Sequence, residues 1–147
     1  MNIQEANRLA VALMEQHGLF NMGYRFCWNR AKRMYGYCNW VNRTIALSMP
    51  LTAIRTPEMV RNTILHEIAH ALCPNRGHDD VWRSKAMQLG CNGERCSNDV
   101  QLPHKWVGQC PVCHETFRRH RVTKGSYHGQ CGPSHMTRID WRLNDER

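Results

Sequence analysis

The five residues His66-Glu67-Ile68-Ala69-His70 carry the clearest chemical signal in this sequence. On an α-helix, histidines four residues apart lie on the same face, so both imidazole rings can bind one metal ion. Glu67 follows the first histidine and is placed to act as a general base towards a water on that metal, without being a ligand itself. The pattern predicts a catalytic zinc site with His66 and His70 as ligands and Glu67 as the catalytic residue.

The flanking residues indicate a capped helix from residue 57 to about residue 73. Thr56 is suited to the N-cap and Pro57 to the first helical position, while Pro74 ends the helix. Apolar residues recur through this stretch at helical spacing: Val60, Ile64, Leu65, Ile68, Ala69 and Leu72. This apolar pattern favours an active-site helix over the alternative, a surface helix with two solvated histidines.

A catalytic zinc site with three protein ligands needs one more donor. His78 is the candidate, because Pro74 and Gly77 allow a sharp loop that returns the chain towards the helix. Asp79 and Asp80 are rival ligands, since carboxylates also complete such sites. In the non-functional interpretation, one of these aspartates caps the next helix and His78 faces solvent.

The remaining pattern before residue 100 predicts an α+β domain. Apolar residues at helical spacing predict a first helix over residues 3–13, with Gly18 as a stop. Three β-prone runs at residues 24–28, 35–41 and 44–48 predict a small antiparallel sheet. A further helix is expected over residues 80–89, ended by Gly90.

Length and composition favour one domain with a small appendage. The chain has 147 residues, and its Gly, Pro, Cys and His content rises from about residue 100, so we expect a domain over residues 1–100 and a subdomain over 101–147. No apolar run approaches the roughly 18–20 residues of a membrane span. Glu5 and Glu15 interrupt the N-terminal apolar pattern, which argues against a secretion signal. The expected location is the cytoplasm.

Eight cysteines in a chain expected in a reducing compartment favour metal binding over disulfides. Cys110 and Cys113 are spaced as a zinc knuckle, and Cys131 supplies a third thiolate. Four histidines are candidates for the fourth ligand, in this order of preference: His135, His128, then His114 and His120. Such a set predicts a structural zinc ion in a zinc ribbon. The alternative is that Cys110 and Cys113 are ordinary free thiols.

The formal net charge of +8, from 20 Lys+Arg against 12 Asp+Glu, indicates a polyanionic partner, with nucleic acid first. Cations beside aromatic rings are typical of single-stranded DNA binding. Here the candidates are Arg118, Arg119, Arg121, Lys124, Arg138 and Arg142. The alternative is a solvated loop that only keeps the protein soluble.

These motifs resemble the SprT-like metallopeptidases, the group that includes the Spartan proteases. The likeness rests on His66-Glu67-Ile68-Ala69-His70, on Gly77-His78 followed by Trp82, and on the run from Gly36-Tyr37-Cys38 to Ile45-Ala46-Leu47-Ser48. A cysteine ribbon like the one from Cys110 onwards is a further trait of that family. The resemblance implies a zincin-like domain with a C-terminal zinc ribbon. It also implies zinc bound by His66, His70 and His78, with Glu67 as the catalytic acid/base.

Spartan-type members cleave proteins that are bound or crosslinked to DNA, and DNA stimulates them. The resemblance therefore implies a zinc-dependent metalloendopeptidase with one catalytic and one structural zinc ion, a protein substrate and DNA as a partner. An oxyanion-stabilising residue is also expected, with Tyr35, Tyr37 and Arg76 as candidates. Two alternatives stay open: a non-proteolytic zinc-containing DNA-binding protein, and a peptidase for a particular regulatory or phage protein.

Overall fold

A computed structural model describes residues 1–95, 100–123, 125–131 and 137–145 of the chain. The chain forms two compact units, Met1–Leu102 and Pro103–Arg147. Among the described residues, no helix combines the length and the apolar character that crossing a membrane requires.

The first unit contains helices and strands in the order α1 (Ile3–Gln16), β1 (Arg25–Asn29), β2 (Gly36–Asn39), β3 (Thr44–Ser48), α2 (Met49–Ala53), α3 (Pro57–Leu72) and α4 (Asp80–Leu89). The predicted helices α1, α3 and α4 are confirmed with close bounds. Thr56 accepts a hydrogen bond from the Met59 N–H and caps α3, as its sequence position predicted. Gly90 ends α4 with a φ of 92°, in the left-handed region that glycine adopts without strain.

Helix α2 was not part of the sequence prediction, which placed no helix or strand between residues 48 and 57. The Ser48 side chain accepts a hydrogen bond from the Leu51 N–H at 3.2 Å and serves as the N-cap. Pro50 lies in the first turn, where a missing N–H leaves no helical hydrogen bond unmade. A single helical turn of this kind is too short to show a hydrophobic period.

The prediction of an antiparallel sheet is wrong for one of its two strand pairs. The strand order is β1-β3-β2, with β2 antiparallel to β3 but β1 parallel to β3. β3 is buried at all of its positions and is therefore the central strand, bonded on both sides. The connection over residues 30–35 carries the chain past β3, so β1 and β2 are neighbours in sequence but not in the sheet.

The core of the first unit packs α1 and α3 against the sheet. Ala10 of α1, Ile64 and Ile68 of α3 and Ile45 of β3 are all fully buried. Burying an aliphatic side chain of this size contributes about 1.5–3 kcal/mol. Helix α3 is thus fixed by core packing along most of its length, which holds the side chains on its remaining face in place.

The described residues of the second unit form β4 (Trp106–Gln109), β5 (Thr116–Arg119), β6 (Tyr127–His128), β7 (Thr137–Arg138) and β8 (Asp140–Leu143). β4 is the centre of an antiparallel sheet of order β5-β4-β8, and β6 pairs with β7. The Trp141 ring packs directly over Gly108, where an added Cβ would lie 2.6 Å from Cε3 of that ring. Gly108 is therefore needed for this close approach.

Candidate active site and metal centres

Three histidines of the first unit converge on one point. Nε2 of His78 lies 3.0 Å from Nε2 of His66 and 3.1 Å from Nε2 of His70. Two nitrogens bound to one tetrahedral zinc ion, each about 2.0–2.1 Å from it, lie about 3.3–3.4 Å apart. The spacing of the three nitrogens therefore fits a shared metal ion, and the structure brings together the three histidines that the sequence selected.

The electrostatics of the cluster also suit a metal. Burial, followed by the nearby His70 and His78, lowers the pKa of His66 to about 4. Burial and His78 lower the pKa of His70 to about 4 as well. Both rings are therefore neutral at neutral pH, and each has a lone pair to donate, as metal ligation requires.

Helix α4 positions the third histidine. Oδ1 of Asp79 accepts a hydrogen bond from the Trp82 N–H at 2.9 Å, and its Oδ2 pairs with Arg76 at 2.8 Å. Asp79 is thus the N-cap of α4, while the adjacent His78 points to the other histidines, so the two roles are compatible. The rival carboxylates Asp79 and Asp80 are not part of the cluster.

Trp82 contacts all three histidine rings, a role that the sequence did not reveal. Its ring centroid lies 4.6 Å from that of His66, 5.0 Å from that of His70 and 4.5 Å from that of His78. The side chain is fully buried, so it forms an apolar floor under the cluster. In the sequence, Trp82 stood out only as an aromatic residue four positions after His78.

Glu67 lies beside the cluster without joining it. Its side chain is 6% exposed, and burial raises its pKa to about 8, while a hydrogen bond from the Cys38 backbone acts in the opposite direction. A cation on the neighbouring histidines would also favour the ionised carboxylate. The group is therefore able to hold or release a proton near neutral pH, as a general acid or base must.

A cavity of about 250 Å³ adjoins Glu67 and His66. Its walls come from residues 33–36 before and at the start of β2, from four residues of α3, and from residues 92, 94 and 95. In one wall, the Asn92 backbone N–H donates to Oδ1 of Asn62 of α3 at 2.8 Å, and Nδ2 of Asn62 donates to Oδ1 of Asn92 at 3.2 Å. Of the oxyanion candidates, Tyr35 lines this cavity, and its hydroxyl donates to the Val100 carbonyl at 3.0 Å.

A second cluster lies in the second unit and contains Cys110, Cys113, His128 and Cys131, with all ligand atoms within 4.8 Å of one another. The histidine present is the second choice of the sequence prediction. The first choice, His135, lies outside the described residues. Burial opposes ionisation of the Cys110 thiol, but hydrogen bonds, first from the Cys113 backbone and then from His128, lower its pKa to about 6. Thiolate and imidazole donors in this number fit zinc.

The basic residues of the second unit do not share one surface. Arg118 on β5 and Arg142 on β8 both lie opposite Val107, so their side chains are on the same face, about 10 Å apart. Arg119 lies opposite Trp106 and therefore on the other face. Two further candidates are exposed outside this sheet, Arg121 and Arg138, and Lys124 lies outside the described residues.

Fold and clusters together define a mixed α+β protein with two groups of side chains that could each hold a metal ion. A model of the SprT-like family matches residues 8–102, and the chain belongs to this family. This match confirms the resemblance that the sequence motifs indicated. The family is associated with metallopeptidase-type domains. A search of curated proteins found no match to the chain.

The raised pKa of Glu67 predicts a pH-dependent stability difference between the wild type and Glu67→Gln in metal-free protein. A buried carboxyl with a folded-state pKa of about 8 and an ordinary value of 4.5 binds its proton more tightly in the folded state. The wild type should therefore lose stability relative to the variant as the pH rises from 4.5 to 8, by up to about 1.4 kcal/mol per pH unit. Urea unfolding with a chelator at several pH values measures this difference. Histidine titration is common to both proteins and cancels, so parallel pH curves would contradict the prediction.

Proposed function

We propose that this chain is a zinc-dependent metalloendopeptidase with a zincin-like catalytic domain. The observation that carries the proposal is the convergence of His66, His70 and His78 at a cavity that the buried Glu67 also lines. A structural site needs only ligands, whereas this site adds an acid/base group and an open cavity next to it.

In the proposed mechanism, the metal acts as a Lewis acid and Glu67 transfers protons. His66, His70 and His78 would hold the zinc ion, which would supply Lewis-acid chemistry towards the scissile carbonyl and water. Glu67 accepts the proton of the attacking water and later delivers it to the leaving amine nitrogen. The apolar floor made by Trp82 keeps bulk water from the inner side of the histidine rings.

Among the described residues, β2 pairs with a strand on one side only, and its other edge supports an extended peptide as the substrate. The Ser48 N–H donates to the Tyr35 carbonyl just before β2, so residues 37 and 39 are the positions of β2 that bond to β3. The main-chain groups of Gly36 and Cys38 therefore point to the opposite edge, and the Cys38 N–H reaches Glu67. A substrate strand added at this edge would lie alongside the catalytic carboxyl.

We further propose that the substrates are proteins bound or crosslinked to DNA, with single-stranded DNA as the favoured partner. The support is the net charge of +8 and the exposed arginines of the second unit, in particular Arg118 and Arg142 on one face of its sheet. Exposed cations release condensed counterions on binding phosphates, which favours association with any DNA sequence.

The variant Glu67→Gln should retain its zinc and lose cleavage by at least about 100-fold, because the amide keeps the shape of the side chain but cannot take a proton. The measurement is a time course on a DNA-binding protein, with and without single-stranded DNA, together with the zinc content of each protein. Glu58→Gln is the matched control, since Glu58 lies exposed in the first turn of the same helix.

Cleavage by Glu67→Gln at the wild-type rate would refute the assigned role of Glu67. If the wild type cleaves protein at a rate that DNA does not change, the peptidase assignment stands and the assignment of DNA as a partner is refuted. That result would favour a peptidase for one regulatory or phage protein. DNA binding without cleavage of any protein would favour the non-proteolytic alternative.

Simultaneous replacement of Arg118 and Arg142 by alanine should weaken binding to single-stranded DNA. For single-stranded DNA, log K falls with log salt, and each phosphate contact contributes about −0.7 to this slope. Losing two contacts should therefore reduce the magnitude of the slope by about 1.4. Fluorescence anisotropy over a salt series measures the slope. Arg119→Ala is the control on the opposite face, and a slope reduced by about 0.7 in that single variant would contradict the assignment of the binding face.

A further inference from the structure

The Cys/His cluster of the second unit has a neighbouring carboxylate that the proposed ligand set does not include. Oε2 of Glu115 lies 3.1 Å from Nε2 of His128. On the other side of the ring, Nδ1 of His128 lies 3.5 Å from Sγ of Cys113. The imidazole of His128 therefore connects a carboxylate to the thiol cluster.

This arrangement decides which nitrogen of His128 carries the proton. A neutral imidazole has one N–H and one lone pair, and an ionised carboxylate only accepts hydrogen bonds. In the neutral ring, this contact places the N–H of His128 on Nε2, where it donates to Glu115, and the lone pair on Nδ1, where it faces Cys113. A metal ligand needs this state, with the lone pair directed at the ion and the other nitrogen anchored.

The fold holds both partners of this contact in place. The Glu115 carbonyl accepts a hydrogen bond from the Cys110 N–H at 3.0 Å, which closes the knuckle loop directly before β5. The ring of His128 is 9% exposed, and the Phe117 ring packs against it edge-on, with centroids 5.1 Å apart. His128 is thus packed between Glu115, Phe117 and the Cys113 thiol.

We propose that Glu115 is the positioning residue of a zinc centre formed by Cys110, Cys113, His128 and Cys131. By accepting a hydrogen bond from Nε2–H of His128, Glu115 directs the Nδ1 lone pair of His128 at the metal. His128 is then the fourth ligand. The proposal concerns the second unit alone and does not depend on the peptidase activity proposed for the first.

The test is a Co²⁺ titration of the full chain in Glu115→Ala, Glu115→Gln and the wild type. Thiolate ligands give Co²⁺ a charge-transfer absorption that a site of three histidines lacks, so this band reports the second unit specifically. Glu115→Ala should weaken Co²⁺ binding about 10- to 100-fold. Glu115→Gln should lose less, because its amide oxygen still accepts from the Nε2–H of His128.

Asp140→Ala is the matched control, since Asp140 is an exposed carboxylate on β8 outside the cluster, and its Co²⁺ affinity should equal that of the wild type. In addition, two-bond ¹H–¹⁵N correlations of the zinc-loaded chain should show Nδ1 of His128 as the metal-bound nitrogen. Co²⁺ affinity of Glu115→Ala within about twofold of the wild type, or ligation through Nε2, would overturn the proposal. So would a His128→Ala variant that binds Co²⁺ as tightly as the wild type.

Discussion

The approach of three imidazole rings to one point is the constraint on which the candidate active site of the first unit depends. His66 and His70 come from α3, whereas His78 comes from the loop before α4, so the rings meet only if α4 packs on α3 in one position. Trp82 fixes that position by filling the space beneath all three rings. Without a cation, the close and half-buried rings resist protonation, as their lowered pKa values show. A bound metal ion would accept a lone pair from each ring, and its binding would stabilise the folded state.

The two units differ in what holds them together. The first unit buries aliphatic side chains from helices on a sheet and has a continuous core. In the described part of the second unit, Cys110 and Ile139 are the buried apolar side chains. A segment of that size rarely folds on a hydrophobic core alone. A metal ion on its Cys/His cluster would therefore stabilise the fold of that unit, whereas the histidine cluster of the first unit lies on a framework that is already packed.

The sequence predicted those parts of the fold that local signals determine. The cap and proline at Thr56-Pro57 and the glycine at Gly90 act within one turn of the chain, and the helices they bound are where we expected them. The histidine cluster was predictable for a similar reason, because a four-residue spacing on a helix fixes two ligands geometrically. The third member of the cluster, His78, was predictable because it lies in a short loop between α3 and α4, which restricts where its side chain can lie.

The remaining features depend on contacts between distant parts of the chain. The parallel pairing of β1 with β3 is set by which strand takes the centre of the sheet, and the alternation of apolar residues does not encode this. Glu115 is an exposed residue with no motif of its own, and only the folded chain places it against His128. The cavity beside Glu67 likewise combines three separate segments.

The most direct test of the account is the metal content of the purified full chain by native mass spectrometry, compared with His78→Ala and with His17→Ala. His17 is the control because it lies at the end of α1, outside the cluster. We expect wild type and His17→Ala to carry the same number of zinc ions, and His78→Ala to carry one fewer at limiting zinc. Equal zinc in all three proteins would contradict the central claim that the three histidines form a metal site.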